Sequence, residues 1–308
     1  MTRLAPALDD YLKLRRGLGY ELTRDEPELV KFVAFLEGNG VERITTALAL
    51  EWARMPSNQH PIVWRRRLSR VRGFARYLAI SDPTSEIPPT DLLPAHQPRL
   101  APYIYSEEEI ASLMAAARTL PRPLGAATYE TVIGLMATTG LRLREALALD
   151  RRDVDLVEGV VDIRATSNHR PRLVPLHPST TGALARYGDL RDQRRPEPTT
   201  PAFFVTSWGR RPVIDVFRQT FRGLIHQAGL YGLGSRVCPR PHDLRHSFAV
   251  RTLIGWYRSG EDVDAKMPGL SIYLGHVSPE STYWYLQAVP ELLELVSNRL
   301  EAVREVLS

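Results

Sequence analysis

Six prolines fall between Ser81 and Pro102, at Pro83, Pro88, Pro89, Pro94, Pro98 and Pro102. Each fixes its own φ and removes a backbone donor, so neither a helix nor a central strand runs through the stretch. The chain must divide there. Prolines this dense favour an extended, semi-stiff tether. We therefore read a first module over 1–82, a linker over 83–102 and a larger domain over 103–308.

The first module reads as four helices. Leu8, Tyr11, Leu12 and Leu14 open one amphipathic segment, and Pro27 starts a second whose apolar set runs from Leu29 to Leu36 and ends at Gly38 and Gly40. Ala47 to Met55 forms a third. Ile62 to Ile80 forms a fourth, with Leu68, Val71, Phe74, Ala75 and Leu78 on one face. Four helices of this size bury a small core.

The larger domain opens on a capping box, Ser106 with Glu109. Thr131 to Thr139 reads as a buried helix closed by Gly140. Val160 to Arg164 and Arg172 to Leu176 are β-rich and flank Thr166 to Pro171, which predicts a hairpin with a long loop, and Ala202 to Val205 predicts a further short strand. Helices are expected over Val213 to Ala228, Asp243 to Tyr257, Glu280 to Leu286 and Pro290 to Val306. The fold class is mainly α with a small β-sheet.

The 308-residue chain carries a formal charge of +5, basic enough to suggest a polyanionic partner. Of its 40 cationic residues only Lys13, Lys31 and Lys266 are lysine. A GC-rich genome accounts for most of that skew, although arginine also suits bidentate phosphate contacts. Cys238 is the single cysteine, so no intramolecular disulfide forms, which fits a reducing cytoplasm. The apolar run from Val132 to Leu141 is too short to span a bilayer, and the N-terminus lacks a signal-peptide pattern. A cytoplasmic protein with no membrane contact is expected.

Four short segments carry chemistry: Thr-Gly-Leu-Arg-Leu-Arg-Glu (139–145), His-Asp-Leu-Arg-His (242–246), Leu-Gly-His (274–276), and Tyr285 nine residues after His276. Arg142 follows a helix-ending glycine and can sit near an anion. His242 and Arg245 lie three apart on one helix face. Two guanidiniums can fork the non-bridging oxygens of a phosphodiester and stabilise charge on a pentacovalent phosphorus. A histidine can take the proton of a phenol, whose free pKa is near ~10. The tyrosine then forms a covalent phosphotyrosine. This chemistry needs no metal or other cofactor, and no Walker-type loop is present. His242 and His246, four apart with Asp243 beside the first, mimic a zinc-protease helix, but no third ligand is evident and Arg245 would repel a dication.

Taken in order, these segments resemble the boxes of the tyrosine recombinases, the phage integrase family, and the resemblance covers nearly the whole chain. It implies an N-terminal helical SAM-like core-binding domain and an α+β catalytic domain. It implies that Arg142 and Arg245 clamp the phosphate, that His242 and His276 are the acid/base and hydrogen-bonding pair, that Glu145 supports the first arginine, and that Tyr285 is the nucleophile. Tyr283 competes but sits only seven residues after His276. The activity implied is site-specific strand cutting and rejoining through a 3′-phosphotyrosine, for integration, excision or transposition of a mobile element. The partners implied are double-stranded DNA and a homo- or hetero-tetramer holding two DNA sites through a Holliday junction. Arg65, Arg66, Arg67, Arg70, Arg72 and Arg76 on the fourth helix, with Arg164 and Arg172, suit phosphate contacts. The last helix, 290–306, docks on a neighbouring protomer or on its own domain.

The pattern breaks in one place. Family members carry a hairpin lysine that protonates the leaving 5′-oxygen, a few residues before a strand like Arg172-Leu173-Val174-Pro175-Leu176. Here Ser167 holds that position and no lysine lies nearby. His169 can donate a proton. Arg170 does so poorly, because its pKa exceeds ~12. A substitute acid, slow cleavage, or an architectural DNA-binding subunit of a multi-recombinase system each accommodates the change.

Overall fold

Leu4, Leu8, Tyr11 and Leu12 lie along one side of a helix, and the first unit forms by closing three more helices over them. In the computed structural model these are α1 (Leu4–Gly17), α2 (Asp25–Gly38), α3 (Thr46–Arg54) and α4 (Pro61–Leu78). Residues 3–55, 57–94, 101–164, 171–197, 199–231, 238–276, 280–288, 291–295 and 297 are described. Thr45 caps α3 by accepting from the Leu48 amide, and Pro61 starts α4 where its missing N–H costs nothing. Phe32 meets Trp52 edge-on at 5.1 Å in the core.

The proline-rich stretch departs from a free tether as far as residue 94. Ser85 Oγ accepts from the Ile44 amide, and Arg72 donates to the Pro88 and Pro89 carbonyls at 2.6 and 2.5 Å. Leu93 is buried in the helical core. Proline forbids regular elements but keeps its carbonyl, so a buried arginine can still hold such a segment down. By contacts the chain divides into Met1–Arg99 and Leu100–Ser308.

The second unit contains α5 (Glu107–Arg118), α6 (Pro123–Thr139), α7 (Leu143–Ala148), β1 (Val154–Asp155), β2 (Val160–Ile163), β3 (Arg172–Pro175), α8 (Pro178–Arg194), α9 (Ile214–Gln227), α10 (Pro241–Arg258), α11 (Val263–Leu274) and α12 (Glu280–Ala288). The capping box at Ser106 forms as expected. The sheet is antiparallel in the order β1-β2-β3, with Val161 opposite Val174 and Ile163 opposite Arg172. Val161, Ile163 and Val174 face the core.

The strand expected over Ala202 to Val205 is absent; Ala202 makes one isolated bridge to Asp150. Phe203, Phe204 and Val205 are apolar there because they are buried, not because they pair. Helices α8 and α11 were not expected. Ser167, His169 and Arg170 lie outside the described residues, as does most of 290–306. Leu292 packs into a cluster with α10 and α11. Among the described residues no helix is long and apolar enough to cross a membrane.

Candidate active site

Two left-handed glycines place the site. Gly140 ends α6 at φ +64°, and a Cβ there would lie 2.6 Å from a Phe248 ring carbon and 3.0 Å from a Leu274 methyl. Gly275 ends α11 at φ +63°, and a Cβ there would lie 2.8 Å from an Arg172 nitrogen. Both positions therefore need glycine for backbone conformation and for space. The turns they make carry Arg142 and His276.

Main-chain carbonyls of these turns anchor the guanidiniums. Arg245, on α10 and only 1% exposed, donates to Gly140 O at 2.8 Å and to Leu274 O at 2.5 Å. Arg142 donates to Gly275 O at 2.8 Å and to Glu145 at 2.9 Å. Arg172, on β3, donates to Tyr273 O at 2.7 Å and forks Glu145 at 3.0 and 2.9 Å. Burial raises the Glu145 pKa, but the hydrogen bonds and charge of Arg172, then Arg142, outweigh it and hold the carboxyl at about 2. Burial, and then Arg142, lowers Arg245 to about 9.

Three histidines and the tyrosine border these cations. His276 Nδ1 lies 2.7 Å from Thr282 Oγ1, and His246 Nδ1 lies 2.8 Å from the Tyr285 phenol oxygen. Burial, followed by Arg245 and Arg142, pushes His276 down to about 3. His242 keeps a solvent-exposed edge. Protein covering its other side, then Arg245, Arg142 and Arg240, lowers its pKa. Burial of the rest of the ring and the guanidinium charges together bring it to about 4. All three rings are therefore neutral near pH 7. Tyr285, on α12, is buried, whereas Tyr283 on the same helix is exposed.

The structure thus gathers Arg142, Glu145, His242, Arg245, His276 and Tyr285 around the Gly140 and Gly275 turns. Two further residues join them. Arg172 was read as a phosphate contact, but it is buried behind Glu145 and props the Gly275 turn. His246 was left without a role in the family reading. Neither pairing shows in the sequence, since the partners lie 27 and 39 residues apart.

The other arginines divide. Arg164 forms ion pairs with Asp150 and Asp153, so it braces the sheet. On α4, Arg67 binds Glu28 and the Trp52 carbonyl, Arg70 pairs with Asp25, and Arg72 holds the proline segment. Arg66 and Arg76 are exposed and Arg65 is half-buried. Among the described residues no group of three or more His, Cys, Asp or Glu side chains could hold a metal.

Comparison with known proteins agrees with this geometry. The Phage integrase family model matches residues 104–291. The chain is 42% identical over 310 residues to the provisionally named integrase/recombinase y4rB of Sinorhizobium fredii, covering 98% of each. It is 27% identical to tyrosine recombinase XerC of Chlamydia caviae, covering 75% of this chain and 69% of that one. Two solved structures share the fold. The Tn1549 transposon integrase bound to transposon right end DNA has a TM-score of 0.67 at 15% identity, covering 99% of this chain and 100% of that one. The XerH site-specific recombinase on its difH substrate has a TM-score of 0.66 at 18% identity, covering 89% and 78%. With its family boxes gathered in one site and its similarity running the length of the chain, this protein belongs to the phage integrase family of tyrosine recombinases.

Proposed function

We propose that the chain cuts and rejoins DNA at specific sites, with Tyr285 as nucleophile and Arg142 and Arg245 as the clamp on the scissile phosphate. One observation carries the reading. Three guanidiniums from distant segments meet at the Gly140 and Gly275 turns, a single carboxylate, Glu145, bonds two of them, and Arg245, which binds only carbonyls in the contacts described, lies within electrostatic reach of the Tyr285 phenol. Gathering cations this way costs desolvation and mutual repulsion, and an incoming phosphodiester offsets both. The phosphate binds the clamp, the Tyr285 oxygen attacks phosphorus, and the charge on the non-bridging oxygens rests against the arginines. His242 and His276, held neutral, donate hydrogen bonds to those oxygens. Tyr285 and Arg245 are each 1% exposed, so α12 must shift to admit the duplex. Arg66 and Arg76 suit backbone contacts on the first unit. Four protomers on two DNA sites, in the cytoplasm, exchange strands to integrate, excise or transpose an element.

A duplex nicked near the cleavage site tests this directly. The short released strand diffuses away, so the wild type is expected to accumulate a covalent protein–DNA band on a denaturing gel. Tyr285→Phe should abolish the band and Tyr283→Phe should leave it. Trapping that survives Tyr285→Phe sinks the assignment.

A further inference from the structure

His246 stands one residue after Arg245 and one helical turn after His242, and it touches the nucleophile itself. Its Nδ1 is 2.8 Å from the phenol oxygen of Tyr285, with the rings 5.4 Å apart at 62°. In the tautomer that carries the neutral ring's proton on Nε2, Nδ1 is free to accept from the phenol. The surroundings enforce neutrality: burial, then His242, then Arg245, press His246 down to about 3. The neighbouring histidines are placed differently. His276 spends its Nδ1 on Thr282 and only stacks at 6.4 Å from the Tyr285 ring. The His242 ring meets His246 edge-on at 4.7 Å.

We infer that His246 is a further catalytic residue, the group that accepts the phenol proton when Tyr285 attacks. This rests on the strand-transfer reading above. As the Tyr285 oxygen bonds to phosphorus, its proton passes to His246 Nδ1. The phosphorus–5′-oxygen bond breaks, and the 5′-oxygen leaves with its electron pair and takes a proton from water. On rejoining, the 5′-hydroxyl gives its proton back to the solvent as its oxygen bonds to phosphorus, the phosphotyrosine bond breaks, and His246 returns its proton to the phenolate. Part of what holds the ring neutral is the charge of Arg245 and Arg240, so its proton affinity rises when a bound phosphate neutralises them.

The nicked-duplex assay separates the outcomes, with DNA affinity followed by gel shift. His246→Gln keeps size and hydrogen bonding but cannot take a proton, and His246→Ala removes both. Each is expected to slow adduct formation roughly 10²–10⁴-fold at unchanged DNA affinity. Added imidazole should restore part of the His246→Ala rate. A 5′-bridging phosphorothiolate, whose leaving group needs no proton, should not rescue either variant. Wild-type or faster trapping by His246→Gln or His246→Ala overturns the inference, because the ring then only holds the phenol. Rescue by the phosphorothiolate overturns it too, by placing His246 on the leaving oxygen. A wild type that forms no adduct overturns the recombinase reading and this assignment together, whereas trapping that ignores His246 overturns the assignment alone.

Discussion

Glu145 touches no reacting atom in the proposed chemistry, yet it orients both Arg142 and Arg172. Its folded pKa of about 2 against an ordinary 4.5 makes it a source of stability with a definite sign. The contribution is full above the unfolded value and is lost as pH falls from 4.5 towards 2. The size is about 3 kcal/mol. Glu145→Gln should therefore lower the urea-unfolding free energy of the second unit by about 3 kcal/mol near neutral pH. The gap to wild type should close as the solution is acidified through that window, and a gap that stays constant would refute the charge argument. Arg142, His242, Arg245 and His276 were legible because each sits beside a glycine turn or shares a short helix motif with a fellow site residue, and Tyr285 through its spacing of nine residues from His276. Arg172 and His246 were not, because their partners come within reach only when β3 meets the α11 turn and α12 meets α10.

Among elements, α4 shows how a correct helix can carry a misread face. Its arginines looked like one phosphate stripe, but a charged side chain on a helix flank can equally staple a neighbouring segment. Arg72→Met should free the Pro88 and Pro89 carbonyls, cost about 1–3 kcal/mol, and speed amide exchange at Thr90 to Leu93. Arg66→Ala should leave the melting temperature unchanged and reduce the salt slope of DNA binding by about 0.9. Equal effects of the two variants on the salt slope would erase this division. The two helices missed in the sequence fail for a related reason. Gly182 and Gly188 dilute α8, and Pro268 sits inside α11, so local propensity argues against both. Packing decides instead: Leu184 and Tyr187 of α8 join the main core, and Met267 and Leu270 of α11 join the cluster that holds Tyr285.

At the scale of the molecule, each unit has apolar cores of its own. One core runs from Leu4 to Leu93, and the other two lie within 105–292. The proline-rich stretch, read from the sequence as a separate linker, belongs to the first unit through Leu93. Met1–Arg99 expressed alone should unfold cooperatively in urea, reported by Trp52 and Trp64 fluorescence, and a broad non-cooperative loss would show that it needs the rest of the chain. The wiring of the second unit has its own consequence. Arg142, Arg172 and Arg245 hang from the carbonyls of residues 140, 273, 274 and 275, atoms that every amino acid possesses. Exchanging Tyr273 or Leu274 for another residue keeps those attachment points, whereas one extra residue spliced into 273–275 would rotate all three guanidiniums out of step. Chain length through that turn, with the glycine that ends it, is what such a lineage must inherit intact.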